Sequence, residues 1–433
     1  MRASGNWTLP SFNGEPRLNK PILFYWLVAL SFEVFGENEF GARFPSAAMA
    51  LLGLALTFTL GQRLFGRRAA LFAAIVLALS PEYLMLGRLA ITDMTLTVLI
   101  LASLYAYASA ALGTPTLGAS LTFFTATALA TLTKGPVGLL FPLLVAVGDS
   151  ATARRWSFFE ARRLIPGVAL FLVLALPWPL ALLSQLGPAH FVAFLRNESV
   201  GRFFGTFAHP EPIWYFVPVL LAGFFPWVAF LPLALRTALG ERRNPAFRLL
   251  LNWTIIGFFF VSFGRGKLAT YIAPIYPAVA LLVGASLDRL LPRKERSGTE
   301  IDFGATDLSS DFPAAGAAGG RANRLSLTLA FSFLLAVALA LPWIVDAVLA
   351  RESVEMAWPR RLAVAPFVAA GIAALLFTLK RRPLEGLLSW AAAILVSLPL
   401  FVAEIAPSVE TYRSTRSAAR FLPPGLGADD RVI

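Results

Sequence analysis

The sequence predicts an all-α polytopic membrane protein, and three observations carry that prediction. Apolar runs of about 20 residues, long enough to cross ~30 Å of hydrocarbon, recur along the whole chain. Of the 433 residues 57% are apolar and 14% charged, where a soluble domain keeps roughly a quarter charged; mean hydropathy is +0.70. Arginines gather in short loops after alternate runs, the pattern of cytoplasmic loops. The net charge of +12 therefore marks membrane sidedness rather than a nucleic-acid partner. With no cysteine there is no disulfide framework and no thiol chemistry, and two histidines cannot make a His-rich metal site by themselves.

In chain order, residues 1–44 form a polar, aromatic, Pro- and Gly-rich loop. Spans follow at 45–65, 70–87, 92–112, 118–133, 135–149, 164–184, 213–236, 247–263, 270–291, 325–349, 362–380 and 384–404, about twelve in all. The run 135–149 is short and Pro-broken, so a re-entrant segment is its alternative reading. Arg63, Arg67 and Arg68 follow the first span, Arg154, Arg155, Arg162 and Arg163 the fifth, and Arg236, Arg242, Arg243 and Arg248 the seventh. Arg289, Arg293, Lys294 and Arg296 follow the ninth, and Lys380, Arg381 and Arg382 the eleventh. If every run crosses once, all lie on one side, which the positive-inside rule makes the cytoplasm. Residues 1–44, 185–212, 264–269 and 405–433 then face outside. The stretch 292–323, small, acidic and Gly/Ala-rich, reads as a flexible cytoplasmic linker between a core at 45–291 and the spans of 324–404. An outer loop at the start of the sequence implies a further span upstream, which would bring the total to about thirteen; insertion with the N-terminus outside is the alternative.

The outer loops hold the polar side chains from which chemistry can be built. They include Lys20 and Tyr25 in the opening loop, Arg88 before Thr92-Asp93, and Lys134 between two apolar runs. Arg196, Glu198, Arg202 and His209 lie in loop 185–212, and Lys267 and Tyr271 lie further on. Each has a plainer reading. Arg88 can snorkel to headgroups, Asp93 can answer a helix dipole, Lys134 and Lys267 can be interface anchors, and His209 alone is a structural side chain more often than a ligand. Trp26, Trp214 and Trp227 fit an aromatic belt. Together the cations say more. Lys20, Arg88, Lys134, Arg196, Arg202, Arg265 and Lys267 fall at outer span ends, where positive charge is otherwise disfavoured. Ionisable groups at membrane depth point to function, and clustered Arg and Lys suit a phosphate. The residues alone indicate a membrane protein that handles a lipid-linked phosphate on the outer leaflet.

An ordered set of short motifs adds a resemblance. It comprises Ser4-Gly-Asn-Trp7, Asn13-Gly14-Glu15, Lys20-Pro21 with Tyr25-Trp26, and Glu39 with Arg43 and Pro45-Ser46. Then come Arg88 with Thr92-Asp93-Met94, Leu132-Thr-Lys134-Gly-Pro136, Arg196-Asn-Glu198 with Arg202-Phe203 and His209, Gly223-Phe-Phe-Pro226-Trp227, and Lys267-Leu-Ala-Thr-Tyr271 with Pro274 and Pro277. Over roughly residues 4–280 the chain resembles the bacterial polyprenyl-phosphate-dependent glycosyltransferases of the GT-C fold, related to protein O-mannosyltransferases and to the lipid A aminoarabinose transferase. The resemblance implies a GT-C-like helical bundle with exoplasmic loop helices. It implies transfer of a sugar from a polyprenyl (undecaprenyl) phosphate carrier to a lipid, glycan or protein acceptor, with inversion, in the bacterial inner membrane at the periplasmic face. Lys20 matches the family's carrier-phosphate lysine and Asp93 a second acidic residue near the sugar. Tyr25, Arg88, Lys134, Arg196, Glu198, Arg202, Lys267 and Tyr271 are further substrate-binding candidates. In the aminoarabinose enzyme a metal joins two outer loops; its acidic ligand would fall at Asn19 here and its histidine at His209. Asn19 is a poor ligand, so that metal is not predicted, and assistance by a divalent ion is left open.

The family's catalytic carboxylates, an Asp-Glu pair after its first span, have no counterpart before Ser4. The expectation is that this pair and its span lie upstream, and that residues 405–433 begin a small outer domain. A transporter or flippase would also cluster cations, but predicts repeat-related halves and midplane charges, of which the sequence shows neither. A noncatalytic membrane subunit is the third reading. Genomic DNA upstream of Met1 separates them: an in-frame apolar span followed by Asp-Glu is expected, and an immediate stop codon overturns the expectation.

Overall fold

The computed structural model describes residues 1, 5–12, 15–16, 19–195, 211–264, 266–291, 320–351, 365–380 and 382–400. Their regular structure is helical apart from one hairpin, β1 (Ser11–Phe12) antiparallel to β2 (Glu15–Pro16). The expected all-α class holds. The helices are α1 (Leu23–Phe35), α2 (Glu39–Phe65), α3 (Arg67–Ala78), α4 (Pro81–Arg88), α5 (Thr92–Leu112), α6 (Leu117–Lys134), α7 (Val137–Ala153), α8 (Ala161–Ala175) and α9 (Pro177–Leu195). Then come α10 (Phe216–Gly223), α11 (Leu231–Gly240), α12 (Pro245–Phe263), α13 (Tyr276–Leu290), α14 (Gly320–Arg351), α15 (Ala365–Leu379) and α16 (Pro383–Leu400). Contacts divide the chain into a unit taking in Met1–Leu290 and one taking in Ala314–Ile433. The expected linker, except its last few residues, and the 405–433 tail lie outside the described residues.

Local chemistry sets the boundaries. Asn38 caps α2, its Oδ1 accepting the Gly41 N–H at 2.8 Å. Thr116 does the same for α6 through Ala119, and Asn244 for α12 through Ala246. α6 stops at Gly135, whose φ of 80° is left-handed and open to glycine at little cost. Among the described residues five helical runs are long and apolar enough to cross a membrane: α2, α5, Ala161–Phe194, α12 and Ala269–Leu290. Two of the expected spans are bent instead of straight. The 70–87 run breaks between α3 and α4 by 64°, and the 213–236 run breaks by 108° between α10 and Trp227–Gly240. Proline at the first position of α4 leaves Ser80 extended and stops α3 from continuing.

The core of the first unit is α13, most of whose span is buried on all sides, whereas the Ala161–Phe194 run is largely exposed and suits the lipid-facing periphery. α3 fits between α2 and α13 because its inner face is Ala69, Ala70 and Ala73, all buried. A Cβ on Gly284 would lie 2.6 Å from the Ala73 nitrogen and 2.7 Å from the Ala69 carbonyl oxygen, and one on Gly61 would lie 3.0 Å from Ala70 Cα. Small residues thus let three backbones approach closely, the packing that membranes favour where no hydrophobic drive operates. Gly284→Val should cost about 1–3 kcal/mol by overpacking. It should lower the thermal midpoint of the detergent-solubilised protein. Gly240→Ala, which meets nothing within 4 Å, should leave that midpoint unmoved.

Candidate functional site

The bundle has a basic end. Arg63 donates to Ser109 Oγ at 2.8 Å, Arg68 pairs with Asp288 at 3.4 Å, Arg289 with Glu241 at 2.9 Å, and Arg155 donates to the Ala111 and Gly113 carbonyls. These contacts gather the ends of α2, α3, α5, α11 and α13. α5, 21 residues and about 31 Å long, runs from there to the opposite end. Its first turn holds Asp93.

At that opposite end Asp93 meets Lys134. Thr92-Asp93 opens α5, where a carboxylate faces the positive end of the helix dipole; Lys134 closes α6, where an ammonium faces the negative end. Lys134 Nζ lies 2.6 Å from Asp93 Oδ1, and each side chain is only 10% exposed. The Tyr271 ring, on the 3-10 segment Ala269–Ile275, stacks beneath the same ammonium, 4.2 Å from its centroid. Three sequence-selected residues are therefore one constellation. Its parts come from positions 93, 134 and 271.

The opening segment reaches the same region. Ile22, Leu132, Trp178 and Leu182 form a buried cluster against which Tyr25 and Trp26 pack; Leu132 is two residues from Lys134. Trp178 Nε1 donates to the Thr8 carbonyl at 2.9 Å, and Trp26 Nε1 to the Trp7 carbonyl at 2.8 Å. The indole of Trp26, expected in an aromatic belt, thus also pins the loop. Lys20 sits half-buried just before α1. Lys267, 4% exposed, donates to the Glu211 carbonyl at 2.7 Å. Glu211 is where the described chain resumes after Leu195; Arg196, Glu198, Arg202 and His209 lie outside the described residues. Arg88 is exposed at the end of α4. Among the described residues no group of three His, Cys, Asp or Glu could hold a metal.

Two polar groups escaped the sequence reading. Glu82 is buried within α4, with Oε1 lacking a hydrogen-bond partner among the described residues. A side chain at Gly223 would collide with Glu82 and with the Tyr276 hydroxyl, so the Gly223-Phe-Phe-Pro226-Trp227 motif is where α10 presses on α4 and α13. A lone Glu inside an apolar run was the available signal. The second group surrounds Asp149, at the basic end.

The architecture is a GT-C-like membrane fold. It superposes on ArnT from Cupriavidus metallidurans bound to undecaprenyl phosphate with a TM-score of 0.74 at 24% identity, over 98% of this chain and 74% of that one. The apo form of the same protein gives 0.72 at 23% identity, with the same coverage. Residues 19–180 match the family described as dolichyl-phosphate-mannose-protein mannosyltransferase. The chain is 34% identical over 306 residues to the undecaprenyl phosphate-alpha-4-amino-4-deoxy-L-arabinose arabinosyl transferase of Aeromonas hydrophila, covering 69% of this chain and 55% of that protein. It is 35% identical over 293 residues to the transferase of the same name in Pseudomonas aeruginosa, covering 66% and 53%. The chain spans about half the length of these curated relatives. The similarity is to the mannosyltransferase family over residues 19–180 and to ArnT-like arabinosyl transferases over about two thirds of this chain.

The buried pair makes a stability test. Lys134→Met leaves Asp93 without its cation and should destabilise by about 3–5 kcal/mol. The Asp93→Asn/Lys134→Met double variant should recover much of that loss, read as thermal midpoints in detergent. If the double variant is as unstable as the sum of the two single ones, the pair is not coupled.

Proposed function

We propose that this chain carries the membrane scaffold and carrier-phosphate site of an inverting glycosyltransferase. The enzyme would move a sugar from polyprenyl (undecaprenyl) phosphate to a lipid A, glycan or protein acceptor. The basic end faces the cytoplasm and the Asp93–Lys134–Tyr271 end faces the periplasm across the bacterial inner membrane. The observation that carries the reading is this constellation at the end opposite the basic one, within a fold shared with an undecaprenyl-phosphate-bound relative.

The chemistry assigns roles. The acceptor hydroxyl oxygen attacks the anomeric carbon as the bond from that carbon to the phosphate oxygen breaks. The hydroxyl proton passes to a carboxylate base, and the polyprenyl phosphate leaves with the bonding electrons. Charge grows on the departing phosphate, so pre-placed cations stabilise the transition state. Lys20 takes the carrier phosphate, with Arg88, Arg196 and Arg202 as its partners. Asp93, held by Lys134, lies against the sugar; Tyr25, Glu198 and Tyr271 line the path. Lys267 acts from one step back, by holding Glu211 through its carbonyl.

In the full-length protein reconstituted with a labelled polyprenyl-phosphate sugar, Lys20→Ala should reduce transfer by about 10²–10³-fold, the usual cost of one transition-state donor. Unchanged turnover would refute the phosphate role. Movement of labelled donor across the bilayer without transfer would support a flippase in place of the enzyme.

A further inference from the structure

At the basic end the C-terminal halves of α5 and α7, the segment Ser157–Phe159 and the first turn of α12 enclose a cavity of about 160 Å³. Tyr107, Asp149, Ser150, Arg155, Ser157 and Arg248 supply its polar lining. Nothing in the glycosyl-transfer reading uses it.

Its charge arrangement favours an anion. Asp149 is 1% exposed and fully engaged: it accepts from Tyr107 Oη at 3.0 Å, Arg248 Nε at 3.1 Å and Asn252 Nδ2 at 3.2 Å. Tyr107 Oη also lies 2.9 Å from Ser150 Oγ. Three donors take up most of the carboxylate's acceptor sites and Arg248 matches its charge, which makes it a poor seat for a cation. Arg248 spends only Nε on this pair, so both terminal nitrogens are without a partner among the described residues. Arg155 is anchored by the Ala111 and Gly113 carbonyls at 3.1 and 3.2 Å, which leaves three of its five N–H groups unused among the described residues. Two guanidinium groups thus stand against one carboxylate. Pro245, at the first position of α12, also lines the cavity and adds the positive end of a helix dipole.

We infer that this cavity is a second binding site, for a phosphate group, at the face opposite the Asp93–Lys134 pair. Planar guanidinium forks match a tetrahedral phosphate in pairs of parallel hydrogen bonds, and Ser157 lines the same cavity. Arg155 and Pro245 are exposed at the rim, so the site opens outward. The phosphate can come from the headgroup of an anionic phospholipid in the adjoining leaflet or from a free phosphate in solution. Occupancy would bridge α7 to α12, supplementing the link that Asp149 already makes.

The test uses the full chain in detergent and reads its thermal midpoint against added inorganic phosphate, with chloride at matched ionic strength as control. Micelles of short-chain phosphatidylglycerol are compared with phosphatidylcholine in parallel. Two variants spare the Asp149–Arg248 pair: Arg155→Gln removes one fork, and Ala153→Leu fills the cavity from its α7 wall. A midpoint that rises with phosphate and phosphatidylglycerol is expected, with both variants shifting the half-saturating concentration at least tenfold. A rise with phosphatidylglycerol alone assigns the site to a lipid headgroup, and a rise with phosphate alone assigns it to a soluble ligand. No rise with either, or a rise that both variants keep unchanged, overturns the site.

Discussion

The ion pair between Asp93 and Lys134 fixes the geometry on which the candidate site depends. A lone charge placed this deep would cost several kcal/mol in desolvation, so neither residue is tolerable without the other. Meeting at 2.6 Å forces the start of α5 to lie beside the end of α6. The helix dipoles reinforce the choice, since each charge stands at the helix end that welcomes its sign. Tyr271 then covers the ammonium and brings the segment before α13 into register with both helices. The opening loop is added to this assembly through apolar contact on Leu132 rather than through the ion pair.

Close packing makes such a pair rigid. Buried alanine and glycine on α3 and α13 let those helices approach until backbone meets backbone, and the same economy at Gly223 admits Tyr276 and Glu82. A membrane bundle gains little from apolar burial between helices, because lipid is as apolar as leucine; contact area and internal hydrogen bonds must hold it. The polar ties therefore concentrate at the helix ends. Arg63, Arg68, Arg155, Arg248 and Arg289 close one end, and Asp93, Lys134 and Lys267 close the other.

Much of this was legible in the residue order. The span expected at 92–112 is α5, Thr92–Leu112. The Lys134-Gly135-Pro136 break falls where α6 ends, because glycine and proline act locally. Within the first unit Arg63, Arg68, Arg155, Arg248 and Arg289 do share one end, as the alternation required. The bends at Ser80-Pro81 and near Pro226 were not legible, because an apolar run has the same composition whether it is straight or folded back. Nor could spacing reveal that Lys134 finds Asp93, 41 positions away, or that Lys267 spends a hydrogen bond on the Glu211 carbonyl. Glu82 and Asp149 were hidden for the same reason. Each is a single acid in an apolar stretch, and only the neighbours brought in by the fold give it meaning.

These pairings redistribute the work among the cations of the proposed reaction. An ammonium matched by a carboxylate at 2.6 Å presents little net field to a phosphate, so Lys134 is better suited to orienting Asp93 than to stabilising a leaving group. Lys267 is turned toward a carbonyl and nearly sealed from solvent. In the proposed reaction the growing negative charge would then fall to the other cations, such as Lys20 just before α1 and Arg88 at the exposed end of α4. Such a division has a physical advantage. The buried pair would hold the sugar side of the proposed site in place and leave the phosphate to the other cations.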